Sequence, residues 1–549
     1  MITTPFSNIS NSNTTMSKGH VLDTPGRQPQ GLVPPPPAPS QPPDVPQNGS
    51  DSDTRLVRLF YENFHSAHPI LVPAFDYDKQ RYPKYLQQVV RFIGSHYMQQ
   101  SQAFNTETLR ESSAFQLSSS SARTPTMVQA LLLYSIILCA SGEAIAEAQM
   151  AFSQAVDIAL ELGIYRKEFP GMYSNGNELE AESLRRTWWE LTIVEVYMAA
   201  LQNKVSLRCG SVPYDVELPC EESAYSNNQP IPPPISLAVF SRRMFLDEDN
   251  DDGDGETPRS RYSSFSYRIE AACILARVLV LNSLGETHRD HLQAVENALI
   301  SWTNHLPNDK IDIVDTYGVV DEMLFQAHTI IQYAAMLLHL PRSNLRPVLP
   351  VTGTIICPMT PSRLPPSLTR HLHDIKATEA SKQLSNLLSM RTSAQRYSPF
   401  IICSLALCGL VQLATSRIHS PECSEHHRNR VVLVLGCLKV LQRNWPIAQQ
   451  AYHHVRRAAA DTFMTDMGPR CFQAPGGGSS SGNGNQPAAM KTSPASSRAP
   501  TQNAEWLDPV PAPGAIGPEI FSPGPLSAYI DPTCSDLSFL NNIFDLDLT

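Results

Sequence analysis

Apolar residues recur at three- and four-residue steps from Thr54 to about Met467, and few stretches alternate strictly as strands would. That period predicts an all-α fold for residues 54–467. In "FSQAVDIALELGIYR", Phe152, Val156 and Leu160 share one helical face with Ala155, Ala159 and Leu162 beside it, and Gly163 supplies the left-handed residue that commonly ends a helix. In "DHLQAVENALISWTNHLP", Leu292, Val295, Leu299, Trp302 and Leu306 fall at helical steps among mostly polar neighbours, and Pro307 closes an element with one wet face. By contrast "FQAHTIIQYAAMLLHLP" and "SPFIICSLALCGLVQLA" are apolar nearly all round, which a helix tolerates only when other helices surround it. Both are assigned to the interior of the bundle. The longest apolar run, Phe400 to Val411, is shorter than the roughly 20 residues of a membrane span. It therefore reads as a buried helix, with no membrane partner expected.

One stretch, "LRRTWWELTIVEV", sets Arg185 and Arg186 against adjacent Trp188 and Trp189 in a chain with five tryptophans. On a helix, Leu184, Trp188, Leu191 and Met198 run down one side. Trp189, Ile193, Val196 and Ala200 run down a second side about 100° away. Two apolar faces let one helix pack against two neighbours, each indole burying a large area, while the arginines can stack on rings or pair with carboxylates. A central core helix is the reading the residues favour over a ligand site.

The ends are different in kind. Residues 1–53 carry "LVPPPPAPSQPPDVPQ" and few charges, with Lys18, Asp23, Arg27 and Asp44 the only ones before residue 51. So little apolar surface cannot offset the entropy of ordering, and a disordered Pro-rich segment is expected. Residues 468–530 form a Gly/Ser/Pro-rich linker by composition. Residues 531–549 end in "DLSFLNNIFDLDLT", where Leu537, Phe539, Leu540, Ile543 and Phe544 sit among Asp536, Asp545 and Asp547. Leu537, Leu540 and Phe544 would share a helical face. Within the helical region, "NNQPIPPPISL" and the acidic stretch 247–264, with seven acidic residues between Asp247 and Glu256, are expected as surface loops.

A formal charge of −10 argues against a chain that wraps nucleic acid unaided, because phosphate binding is driven by clustered Lys and Arg. The eleven cysteines follow no framework spacing, which fits a reducing compartment. Chemistry-bearing motifs fail on inspection. An EF-hand register with Gly253 or Gly255 at the sixth position puts Arg259 or Arg261 at the twelfth, where calcium needs a carboxylate. "GSSSG" around Ser480 lies in a linker rather than at a strand-to-helix turn. His426 and His427 near Cys423, and His453 and His454, lack C-x-x-C or spaced-histidine partners, and a surface helix face is expected for them. No P-loop or dinucleotide fingerprint appears, so no catalytic set, resident metal or cofactor is expected; a small-molecule sensor would leave no motif to read.

Seven stretches in order nevertheless carry a resemblance: "LVRLFYENFHSAHPIL" at Leu56, "AVDIALELGIYR" at Ala155, "ESLRRTWWELTIVEVYMA" at Glu182, "VPYDVELP" at Val212, "LISWTNHLP" at Leu299, "IIQYAAMLLHLPR" at Ile330 and "SPFIICSLALCGLVQLA" at Ser398. Together they resemble the fungal-specific transcription factor domain, the middle homology region of zinc-cluster regulators. The resemblance implies a nuclear transcription regulator with Arg185, Arg186, Trp188, Trp189 and Trp302 in the motif core. It further implies other regulators or coactivators as partners, and a homodimer as one option. It departs where family members show an Asp-Arg pair after the double Trp, since Glu195, Val196 and Tyr197 stand there, and where Lys204 and Val205 replace an Arg-Pro. The family's six-cysteine zinc cluster has no counterpart before Cys139, so zinc and direct DNA reading are expected only if a cluster lies upstream or a partner supplies it. The C-terminal segment then reads as an activation segment that folds in a coactivator groove, or as a helix docked on its own domain. A second class of function, an interaction protein that pairs with or titrates full-length regulators, fits the same residues.

Overall fold

A computed structural model of the chain describes residues 48–98, 106–142, 144–202, 205–213, 215–245, 262–284, 288–348, 369–390, 394–419 and 421–465. Of the Pro-rich segment expected at 1–53, residues 48–53 instead open the first helix and the remainder, like most of the acidic stretch, the linker and the activation segment, lies outside the described residues. Thirteen helices of twelve residues or more carry the fold: α1 Asn48–Phe60, α2 Lys84–Ser95, α3 Thr106–Ser118, α4 Pro125–Ser141, α5 Ile145–Leu162, α6 Glu178–Gln202, α7 Ser264–Ser283, α8 Arg289–Asn304, α9 Glu322–His339, α10 Arg370–Ser389, α11 Ile401–Ser416, α12 Pro421–Leu441 and α13 Pro446–Thr465. The described residues hold no strand, only the isolated antiparallel bridges Leu218 to Ile235 and Val314 to Val320. The all-α expectation stands. No helix among the described residues is long and apolar enough to cross a membrane.

Local chemistry sets the helix ends. Thr124 caps α4 by accepting the Met127 N–H, with Pro125 at the first helical position and left-handed Gly142 at the far end. α5 stops at Gly163, φ 74°, where the sequence places its stop. Asp321 caps α9 through the Leu324 N–H. Ser263 caps α7 by accepting the Ser266 N–H, and both Ser263 and Ser264 are buried. The expected acidic loop therefore overran its boundary: Ser263 and Ser264 belong to the packed start of α7, because a capping serine looks like a loop residue until the helix after it is known.

Packing pairs α4 with α5, α7 with α9, α9 with α10, and α11 with α12 and α13, around one continuous core. α9 and α11, apolar all round, are enclosed as the pattern predicts. Trp188, Trp189, Trp302 and Trp445 are all fully buried. α1 and α2 approach so closely that a Cβ on Gly94 would collide with the Leu56 carbonyl, which is why that position carries glycine.

Candidate functional site: a charged seam in the helical core

α6 runs through the interior of the helical region. Every residue from Ala181 to Ala200 is buried, so burial extends beyond the two apolar faces read from sequence to Glu182, Arg185, Arg186, Glu190 and Glu195. The helix begins at Glu178, about two turns before Arg185. Charged residues survive there because partners from other elements meet them.

The first group sits near Trp188. Arg186 donates to Glu182 Oε1 at 2.9 Å, to Glu222 Oε2 at 2.5 Å and to the Cys220 carbonyl at 3.1 Å, and its guanidinium lies 3.9 Å over the Tyr225 ring. Arg185 takes the other oxygen of Glu182 at 2.9 Å. Burial alone would raise the Glu182 pKa; Arg186 and Arg185 outweigh it and hold the carboxyl below its ordinary value. Tyr225 in turn donates to the Leu71 carbonyl, and Ser183 and Gln129 donate to the Ile70 carbonyl. The "HPIL" stretch is thus clamped on α6. Stacking on a ring and pairing with carboxylates, both open to the arginines by chemistry, are realised together in Arg186.

The second group lies two turns on. Arg268 of α7 grips both oxygens of Glu190, Nη1 to Oε2 at 2.6 Å and Nη2 to Oε1 at 2.9 Å. His68 Nδ1 lies 2.7 Å from Glu190 Oε1, and its Nε2 lies 3.1 Å from Ser398 Oγ. Desolvation pushes the Glu190 pKa up, but Arg268 and His68 prevail and hold it at about 2. Against an ionised carboxylate the imidazole carries its proton on Nδ1, so Nε2 accepts from the Ser398 hydroxyl. Burial keeps His68 neutral, its pKa lowered despite Glu190.

Serine, imidazole and carboxylate in a row have the connectivity of a nucleophile relay. The surroundings argue against that use. Arg268 neutralises the carboxylate, the Phe400 N–H occupies Ser398 Oγ at 3.3 Å, and the nearby cavity beside Phe400 and Cys403 measures about 20 Å³, room for about one water. The row joins the post-α1 segment, α6, α7 and the start of α11 as a structural lock.

Farther along α6, Glu195 accepts the Arg208 and Cys209 backbone N–H groups at 2.8 and 2.9 Å, and burial raises its pKa to about 7. This glutamate occupies the place where the resembled family shows an Asp-Arg pair. Here it anchors the chain's return after α6 through backbone rather than through an arginine side chain.

Residues 57–306 match the family model described as the fungal specific transcription factor domain. The match falls within the helical region. A curated relative, the C6 finger domain transcription factor iacK of Pestalotiopsis fici, is 28% identical over 417 residues. That alignment covers 75% of this chain, and the chain spans 60% of the relative's length. No solved structure matches.

Within the matched residues 57–306 fall His68, Arg185, Arg186, Trp188, Trp189, Glu190, Arg268 and Trp302; Ser398 lies beyond them. The structure brings Arg185, Arg186, Trp188 and Trp189 together on α6, while Trp302 on α8 is a separate anchor, its indole donating to the Tyr267 carbonyl at 3.2 Å. Leu537, Phe539, Leu540, Ile543 and Phe544 lie outside the described residues. Trp189 Nε1 donates to the Glu217 carbonyl at 3.0 Å. Trp189→Phe, which keeps a ring but loses volume and that donor, is expected to cost about 2 kcal/mol in urea denaturation. A neutral result would mean the second indole is not an anchor.

His427 is not on the expected surface face; it is buried, with Nδ1 2.7 Å from Gln412 Oε1 of α11 and Nε2 3.1 Å from His419 Nδ1. The polar run around it hides a single inward position, and only the packing of α12 on α11 reveals which one.

Proposed function

We propose that this chain is a fungal-type transcription regulator acting in the nucleus. In this reading its helical domain makes regulatory and protein contacts, and residues 531–549 recruit a coactivator. The observation that carries the reading is the match of residues 57–306 to the fungal specific transcription factor domain, extended by the relationship over 417 residues to a protein named as a transcription factor. The filled interior agrees with an architectural rather than catalytic role. Ser398, His68 and Glu190, which have the connectivity for chemistry, are sealed and neutralised.

Sequence-specific DNA contact comes to the chain through the family. With a formal charge of −10 it requires a local basic module, from an upstream zinc cluster or from a partner regulator. The acidic and apolar residues of the C-terminal segment suit an activation segment, since Leu540, Ile543 and Phe544 can enter a groove once the segment folds on its partner.

Two measurements test the reading. Residues 531–549 fused to a heterologous DNA-binding domain are expected to activate a reporter, and Leu540→Ala with Phe544→Ala to reduce that activity at least severalfold; a silent fusion removes the activation role. Purified chain applied to genomic fragments at several salt concentrations should retain specific fragments only when it carries or is given a DNA-reading module. Retention of none, with co-purification of full-length regulators, turns the assignment to a protein that pairs with and titrates them.

A further inference from the structure

Outside the seam of α6, three side chains from three helices converge. Glu296 projects from α8, His339 closes α9, and His373 sits in the first turn of α10. His339 and His373 are buried and Glu296 is at most a tenth exposed. His339 Nδ1 lies 2.9 Å from His373 Nδ1 and 3.6 Å from Glu296 Oε1. One ligand atom from each residue lies within 4.8 Å of the other two. A triangle of those edges has a point roughly 2.0–2.4 Å from all three atoms, close to the zinc–nitrogen and zinc–carboxylate distances of about 2.0–2.2 Å.

We propose that Glu296, His339 and His373 form a ligand set for one divalent transition-metal ion of the zinc type, with Lys376 competing with the ion for the carboxylate. Two imidazoles and a carboxylate suit a borderline ion better than calcium or magnesium, which take oxygen ligands. Burial holds both imidazoles neutral, the form a metal requires, with Lys376 and Arg342 adding to that effect on each. Lys376 Nζ lies 2.9 Å from Glu296 Oε2 and its side chain is 30% exposed, so it can swing to solvent as the ion takes the carboxylate. Arg342 is engaged with the Asn282 side chain and the Leu338 carbonyl at 2.7 and 2.6 Å. A bound ion would tie α8, α9 and α10 into one unit and add stability in proportion to its occupancy. This set contains no cysteine and rests on helices of the regulatory domain, so it is separate from any six-cysteine cluster.

The test uses the full-length purified chain, stripped with chelator and titrated with Zn²⁺ against a chromophoric competitor, then with Co²⁺ to read visible absorption. The expected result is one tight equivalent, a thermal midpoint that rises with Zn²⁺, and Co²⁺ bands typical of mixed nitrogen and oxygen ligands. Glu296→Gln and His373→Gln should each weaken binding about tenfold or more, as loss of metal-site partners does. Lys376→Met should tighten it, because a competing cation is gone. The same variant decides the matter if His373→Gln fails to fold, and His453→Gln serves as a surface control that should change nothing. Absence of uptake by the parent chain, uptake unchanged in Glu296→Gln and His373→Gln, or weaker binding in Lys376→Met each overturns the proposal.

Discussion

Acidification from pH 7 to pH 5 is expected to remove several kcal/mol of stability from the helical domain, enough to unfold much of it. Besides half-buried His291, seven histidines, His65, His68, His96, His328, His339, His373 and His427, have lowered pKa values, with desolvation as the leading cause in each. For His96, His328, His373 and His427 the value falls to about 4. Each folded value lies below that of the unfolded chain, about 6.5, so below that pH the unfolded state binds more protons. Their contribution is fully present above pH 6.5 and is lost as the pH falls through the window down to about 4. Each group that must gain a proton on unfolding adds up to about 1.4 kcal/mol per pH unit to the slope. If only half do so, the loss by pH 5 is of the order of a domain's whole stability, roughly 5–15 kcal/mol. Glu195 works in the opposite sense: its raised pKa stabilises the fold below the unfolded carboxyl value and that contribution fades as the pH rises through about 7. Glu195, even with the raised carboxyl of Glu180, does not balance so many histidines. Urea midpoints measured at pH 7.5, 6.0 and 5.0 check the expectation, and His427→Gln should flatten the slope by about one proton. A midpoint that stays level across the range contradicts the neutral, buried state of these rings.

Arg268→Met is the second large effect. Removing the guanidinium leaves Glu190 ionised, wholly buried and held only by the His68 N–H, and stranding one member of a buried pair costs about 3–5 kcal/mol. Glu190→Leu strands Arg268 at similar cost. The double replacement removes both charges together, and its loss should fall short of the sum of the single losses by at least about 2 kcal/mol. Equilibrium denaturation of the four proteins measures that coupling. Additive losses would show that Glu190 and Arg268 meet without depending on each other. The proposed roles sharpen the readout: a lock that fails should lower abundance and protease resistance, while a reporter signal from residues 531–549 alone should be unaffected.

Much of the fold was legible in the chain because helix formation leaves a local record. The stop at Gly163 and the enclosure of α9 and α11 follow from spacing within a few turns. So does the pairing of Trp188 with Trp189 on one buried helix. The family resemblance was carried by the same local stretches. The charged seam was not legible. His68, Arg268 and Ser398 reach Glu190 or one another across separations of 122, 78 and 330 residues, and no periodicity encodes which distant side chain a buried carboxylate will meet.

His427, and the trio Glu296, His339 and His373, were missed for a related reason. A histidine in a polar run reads as surface, and ligands spread over three helices have no spacing signature. By itself the amino-acid sequence determined the helical class, the stop at Gly163 and which helices must lie inside, since hydrophobic period and backbone preference act over a few residues. Only the tertiary structure decided which charges were buried and with whom, since a charge leaves water only where a partner from elsewhere in the chain arrives to meet it.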